Sequence, residues 1–480
     1  MKKMRFKQWN LVLLIVILIA NVFLLNKFFP VREIFTQNII STTDYPYHLT
    51  DIYFFKKFEI QSVFDFTYLS ELKVLSLILP FISPIILYKF YVFFALFSFP
   101  LFFFLAGSEL YKDKRCSVIS SLVGLLIVNF SPLIKNYLIW GMFPYTFACM
   151  IFLSGAVYLY SFLILKNKIK LYIACFFLLW SLAVHPLMFF YLLILLAVCS
   201  VNSFKKSKWL AILFLGILFI FPLLMRISPS EFNQSLGFSS VKQYFSYPDM
   251  LLFFVLSVFG LVFNFGKKDK RFWFEYLLLI FLFTYFVSLI PMFFGYQIQR
   301  AMPLLLLFGL LSASVFKQSR LLFILGTVAI ILSIVINGNS YAIALNKHLD
   351  FGINENTLKL KEFVANTKGN YWFEHSSTNT GHIYGNGHVL GLFTYWFYPR
   401  QMIQYSLRTN PKYRPWLYFC DGQLNETYIN QTDEKVFWHT AERLNVSYVV
   451  YWSNYSKDFF RDYNKTCFGS ICAVKTGIKG

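Results

Sequence analysis

Over the first 337 positions, apolar runs long enough to cross a bilayer, ~20 residues each, alternate with short polar connections. The pattern predicts spanning helices near 11–29, 89–110, 117–133, 144–165, 170–186, 187–203, 209–225, 249–265, 272–291, 301–316 and 320–337, eleven in all. The first run follows a basic start (Lys2, Lys3, Arg5, Lys7). It is long for a signal sequence and lacks a small-x-small cleavage site, so it reads as a retained first helix.

Charge gives the pattern a direction. With the N-terminus inside, the inner connections carry Lys112/Lys114/Arg115, Lys166/Lys168/Lys170, Lys205/Lys206/Lys208, Lys267/Lys268/Lys270/Arg271 and Lys317/Arg320. The short outer loops carry only Lys135, Arg226, Lys242 and Arg300, which is the asymmetry of positive charge retained on the cytoplasmic side. This register requires the apolar stretch 72–88 within the first outer loop, 30–88, not to cross. Pro80 and Pro84, with flanking Lys73 and Lys89, suit a re-entrant or interfacial segment there.

From about 338 the pattern changes to a polar background rich in Gly, Asn and Thr, broken by short β-branched and aromatic runs such as Val446 to Trp452. Residues 338–480 therefore read as an extracytoplasmic α+β domain of about 140 residues, large enough for its own core. The expected fold is a polytopic α-helical membrane domain, 1–337, followed by this soluble domain. Sequons at Asn425, Asn430, Asn445, Asn454 and Asn464, and one at Asn233 in an outer loop, crowd into segments already placed outside.

Composition agrees with lipid as the main solvent: 57% of the 480 residues are hydrophobic, 14% are charged, and there are 60 Phe and 31 Tyr. The net charge of +21 is spread over the connections between apolar runs, so it reads as topology rather than nucleic-acid binding. Four of the seven Cys fall in or beside apolar segments. Cys467 and Cys472 in the tail are spaced to close a small disulfide loop if the tail meets an oxidising compartment.

The first outer loop holds six of the twelve carboxylates of residues 1–337: Glu33, Asp44, Asp51, Glu59, Asp65 and Glu71. Within it, STTDYPYHLTDIYFFKKF predicts a helix start with Asp44 near the N-cap and Pro46 in the first turn. Asp44, His48 and Asp51 then follow at i, i+4 and i+7 on one face. A carboxylate and an imidazole at the mouth of an apolar bundle suit a reaction in which a hydroxyl loses its proton while a lipid-borne phosphate departs. The same residues also read as a helix cap, an interfacial aromatic and a solvated face.

A first helix, an acidic first outer loop, about ten further helices and an outer C-terminal domain resemble the GT-C superfamily of membrane glycosyltransferases, which use polyprenyl-phosphate-linked sugars. The motif Asp44-Tyr45-Pro46-Tyr47-His48-Leu49 is similar to that of prokaryotic membrane proteins labelled with a "6-pyruvoyl-tetrahydropterin synthase-related domain". The resemblance implies a catalytic or acceptor-positioning role for Asp44. It departs from many superfamily members in lacking adjacent acids in this loop, and WLYFCDG at Trp416 to Gly422 only faintly echoes the oligosaccharyltransferase motif.

The expected activity is transfer of a sugar from a polyprenyl, dolichyl-type phosphate to a glycan, lipid or protein acceptor outside the cell membrane. Asp44 would act as base, with His48 and Asp51 orienting it or the acceptor. Arg300, in GYQIQRAMP, and then Arg226 are the cations expected at the donor phosphate, with snorkelling to lipid headgroups as the alternative for each. His185, before Pro186 at a tight outer turn, could assist. The aromatics of Asn136 to Tyr145 read as an interfacial belt or as sugar-stacking faces. The tail segment EHSSTNTGHIYGNGH has irregular His spacing and predicts no metal site. Relatives differ in needing Mg or Mn, so cofactor use stays open.

No GxxxxGK[ST], HExxH or GxSxG motif is present. A flippase or transporter for lipid-linked saccharides and a non-catalytic envelope scaffold are the other classes considered.

Overall fold

The computed structural model describes residues 2–40, 45–56, 69–139, 141–185, 187–203, 248–288, 301–316, 355–374, 388–397, 402–407, 426–429 and 434–477, with the isolated positions 324, 328 and 353. Within these, the protein is mostly helical and carries one small sheet. In the N-terminal part the helices are α1 (Lys2–Leu25), α2 (Val31–Ile34), α3 (Tyr45–Lys56), α4 (Ser70–Ile78), α5 (Pro84–Phe97), α6 (Phe99–Tyr111), α7 (Lys114–Phe130) and α8 (Pro132–Ile139). They continue as α9 (Phe143–Leu165), α10 (Lys168–Val184), α11 (Met188–Ser203), α12 (Pro248–Asn264), α13 (Lys267–Ser288) and α14 (Ala301–Ser312).

The helix ends follow local chemistry. Asp113 caps α7 by accepting from the backbone N–H of Arg115 (2.9 Å) and Cys116 (3.0 Å). Asn167 caps α10 in the same way through Ile169 (2.9 Å). Pro84 opens α5 and Pro144 falls in the first turn of α9, where a missing N–H costs nothing. Gly107 lets α6 approach α7, because a Cβ there would sit 2.3 Å from Ser120 Oγ.

The expected segment 89–110 is a bent pair, α5 and α6 meeting at 41°. Pro100 is the cause: it has no N–H for the carbonyl of Leu96 four residues earlier. Asn21 of α1 supplies the replacement, its Nδ2 donating to Leu96 O (3.4 Å) and Phe97 O (3.0 Å), while Asn129 Nδ2 donates to Asn21 Oδ1 (2.8 Å).

Segment 72–88 does not form one helix. It breaks after α4 at Leu79 to Ser83 and restarts at Pro84, so its second half belongs to the bent pair.

The eleven crossings expected from hydropathy are not supported. Among the described residues, α9 is long and apolar enough to cross a membrane, and the bent pair is a second if counted as one span. Leu11–Leu25, Met188–Asn202, Asp249–Asn264 and Met302–Phe316 are shorter apolar helices. Most of the expected runs form single helices that fall short of a crossing, with α7, α10, α11, α12 and α14 spanning 17, 17, 16, 17 and 12 residues, and the expected spans 209–225 and 320–337 lie outside the described residues or almost so.

The bundle nevertheless has two distinct ends. At one, Glu109 of α6 accepts from Ser161 of α9 and pairs with Lys170 of α10, Tyr160 donates to Asp269, and Asn264 Nδ2 donates to Ser314 O (2.8 Å). Tyr111 packs its ring 5.8 Å from Phe265 there. The basic connections 112–115, 166–170 and 267–271 thus share this end. At the other, Tyr45 donates to Leu138 O (2.9 Å), Leu69 N donates to Val184 O (3.1 Å), and Ser131 donates to Asp249. The first loop therefore meets the connections before α9 and α11, and the turn before α8 is tied to the start of α12 at the same end.

The tail contributes α15 (Glu355–Asn366), β1 (Asn370–Glu374), α16 (His388–Phe397), β2 (Met402–Leu407), β3 (Glu426–Ile429), α17 (Glu434–Arg443), β4 (Val446–Tyr451), α18 (Asn454–Phe459), β5 (Lys465–Phe468) and β6 (Ile471–Lys475). The sheet order is β3-β2-β1-β4-β6-β5, with the first four strands parallel and β5–β6 an antiparallel hairpin. The expected α+β domain is therefore built on alternating strands and helices, because parallel strands need helical crossovers.

One face of β1 and β4 (Trp372, Val449, Tyr451) packs with Phe437 and Phe460, and the other (Tyr371, Phe373, Val450) continues into the larger core with Leu360, Val364 and Phe393. Cys467 and Cys472 face each other across the hairpin and are disulfide-bonded. The domain rests on the first loop through α16 and α3, where Tyr53 and Tyr395 meet edge to face at 5.1 Å.

Candidate functional site

Helix α3 forms where the sequence predicts it, from Tyr45 with Pro46 in its first turn. It places His48 inward. The imidazole is 6% exposed, and its Nε2 lies 2.9 Å from the carbonyl oxygen of Gly141. A carbonyl only accepts, so the neutral ring carries its proton on Nε2 and Nδ1 is the basic nitrogen. Phe143 packs edge-on to this ring at 5.9 Å and stacks on Tyr45 at 5.9 Å with 10° between planes, and Tyr88 closes another side. Phe143 and Tyr145 are buried core rings, so they offer no open face for stacking a sugar.

Burial lowers the His48 pKa to about 4; the bond to Gly141 opposes this and the charge of Lys73 adds to it. His185 caps the end of α10 close enough to His48 for the two rings to influence each other. Its Nδ1 accepts from Leu187 N (3.2 Å), and its ring meets Tyr145 at 5.2 Å. Burial, then the neighbouring His48, lowers its pKa to about 3, so His185 is a neutral hydrogen-bonding group.

Two residues that stand in the sequence only as a loop acid and a flanking cation, Glu71 and Lys73, join this cluster from α4. Lys73 is only 2% exposed and lies 5.9 Å from the centre of the Phe55 ring. Glu71 accepts a hydrogen bond from Tyr91 of α5 through Oε1, while its buried Oε2 has no partner among the described residues. Burial raises the Glu71 carboxyl to about 7, its own backbone N–H and Lys73 pulling the other way. The concentration of acid in the first loop pointed toward Glu71. Nothing in the local pattern shows that Tyr91, 20 residues beyond Glu71 in sequence, folds back onto that carboxyl.

The other sequence candidates are not brought into view. Asp44, Arg226 and Arg300 lie outside the described residues, and so does the side chain of Asp51, although its backbone is in α3. In the tail, His375 and His382 also lie outside, and Glu374 proves to be a buried structural carboxylate. It accepts from Trp452 N and Ser453 N, both at 2.8 Å, and from the hydroxyls of Ser453 and Ser456, tying the end of β1 to the loop after β4.

Among the described residues no three His, Cys, Asp or Glu side chains are grouped to hold a metal ion. Chemically, the cluster combines a neutral imidazole, a second imidazole, a carboxyl that titrates near neutrality and a buried lysine. That set can accept or donate a proton and hold an anion. Compared with family models and with curated proteins, the chain matches neither.

Proposed function

We propose that this chain is a multi-pass membrane glycosyltransferase of GT-C type, transferring a sugar from a polyprenyl phosphate to an acceptor outside the cytoplasmic membrane. The observation that carries the reading is the meeting of His48, Glu71, Lys73 and His185 at the bundle end where the C-terminal domain rests on α3. A lipid-linked donor reaches such a site from the bilayer, and an aqueous acceptor reaches it from the domain side.

Two features support a membrane setting. Helix α10 leaves Tyr172, Phe176 and Leu179 exposed at 60–68%, and α12 exposes Leu252, Phe259 and Phe263, faces that water penalises and lipid does not. The basic connections share the end opposite the cluster, as expected if that end is cytoplasmic. The disulfide between Cys467 and Cys472 fits an oxidising exterior for the tail.

In this proposal Asp44 takes the acceptor proton, with His48 and Asp51 orienting the pair. Lys73, with Arg300 and Arg226, offsets the charge that develops on the departing phosphate, and His185 donates a hydrogen bond. No step is routed through a metal; chelation with and without added Mg or Mn tests that separately.

The experiment uses the purified full-length protein in lipid nanodiscs with radiolabelled polyprenyl-phosphate hexose and a mixed glycan acceptor pool. Sugar should leave the lipid and appear in new product, and Asp44→Ala and Lys73→Met should each reduce the rate at least about a hundredfold. Undiminished lipid-sugar consumption by a folded Asp44→Ala protein would sink the catalytic assignment. Movement of intact donor across proteoliposomes with no new glycosidic bond would replace it with a flippase.

A further inference from the structure

The tail contains three described sequons, and the fold treats them differently. Asn445, Asn454 and Asn464 are all exposed. The Asn445 sequon runs directly into central strand β4: its own φ is +53° and the hydroxyl residue Ser447 is 6% exposed. The Asn454 sequon opens α18, and the hydroxyl of Ser456 is fully buried on Glu374. Only at Asn464 are the asparagine, the middle residue Lys465 and the hydroxyl residue Thr466 all exposed, in an irregular residue leading into a short strand.

That strand, β5, is the outermost strand of the sheet, and its first three residues face solvent. An exposed edge is a template for pairing with another chain unless something bulky or charged blocks it. One residue past Thr466, Cys467 is held in the disulfide to Cys472, so the sequon sits beside a bond that forms where exported asparagines are modified.

We propose that Asn464 carries an N-linked glycan, which shields the β5 edge of the C-terminal domain. The inference rests on the extracytoplasmic placement of the tail and does not depend on the protein's own transferase activity. The donor class is an oligosaccharide on a polyprenyl diphosphate or phosphate. Asn464 Nδ2 forms a bond to the sugar's anomeric carbon, that carbon's bond to the phosphate oxygen breaks, the phosphate leaves as an anion, and the amide proton passes to a base of the host's transferase.

The test is mass spectrometry of the Asn464 peptide from protein isolated from membranes of its own host, before and after an amidase that converts glycosylated Asn to Asp. The expected result is a glycan-sized mass on Asn464 that persists in Thr466→Ser and falls to background in Thr466→Val. Both substitutions are at an exposed position, so the fold is retained. A membrane-impermeant amine reagent on intact cells reports Lys465 in parallel. Labelled Lys465 with unmodified Asn464 overturns the glycan and leaves the outer placement standing. Lys465 labelled only after the cells are opened overturns both.

Discussion

The Nε2 of His48 lies 2.9 Å from the carbonyl oxygen of Gly141, joining the first-loop helix α3 to the turn that precedes α9. A buried carbonyl and a buried ring each need the other, since a lone polar group in that setting costs about 1–3 kcal/mol. The bond is available only while Nε2 carries its proton.

His48 gives the protein an acid limit. Its folded pKa of about 4 lies below the reference value of 6.5, so between these values the unfolded chain binds a proton that the folded chain excludes. Stability is present in full above pH 6.5 and falls as pH drops toward 4, by up to about 3 kcal/mol. His185 acts with the same sign. Thermal unfolding in detergent between pH 7.5 and 4.5 should show this loss, and His48→Gln, which keeps a donor for Gly141 but does not titrate, should reduce it to the part that His185 carries.

Glu71 acts with the opposite sign. Its carboxyl is raised from 4.5 to about 7, so its contribution is present in full below 4.5 and is lost as pH rises through 7. Glu71→Gln keeps the acceptor for Tyr91 and removes the titration. The variant should gain thermal stability relative to the parent at pH 8 and show little difference at pH 4.5. A protonated-carboxyl infrared band that persists to pH 6 in the parent and is missing in Glu71→Gln would identify the group; equal stability of the two proteins at pH 8 would count against the buried assignment.

The bent pair α5–α6 depends on α1. Asn21→Leu removes the donor to Phe97 O and leaves Asn129 Nδ2 without its acceptor on α1, so we expect a loss of about 1–3 kcal/mol. A double-mutant cycle with Asn129→Leu should return a coupling energy of about 0.5–1.5 kcal/mol. Additive losses would mean that the two side chains do not form one network.

Glu374 fastens the tail domain. Glu374→Gln replaces one carboxylate oxygen by an NH2 that must face either the two backbone N–H groups or the two hydroxyls and removes the charge from the other bonds, and the expected loss is about 1–3 kcal/mol. Limited proteolysis should cut the variant's tail faster while leaving the helical bundle intact.

Helices α3 and α9 and the β4 strand were legible because each is specified by its own residues: a Pro in a first turn, a long apolar run, a β-branched and aromatic run. The tight pairing of Cys467 with Cys472 was legible from spacing. The break inside 72–88 was half legible, since Pro80 and Pro84 mark it but do not say which helix the second half joins. The site was less accessible. His48 and His185 stood out as polar residues in apolar surroundings, whereas Glu71 and Lys73 looked like ordinary loop charges until folding buried them.

The sequence by itself determined which residues prefer an apolar environment, which end of the bundle collects the basic connections, and where α3 begins, because hydropathy, charge and capping are properties of a residue and its near neighbours. Tertiary structure decided that Gly141 would meet His48, that Asn21 would satisfy the carbonyl left by Pro100, and that Glu71 would lie against Tyr91. Those outcomes depend on contacts between residues 20 to 93 positions apart, and on the loss of water around them, which keeps an imidazole neutral into the acid range and holds a proton on a carboxyl.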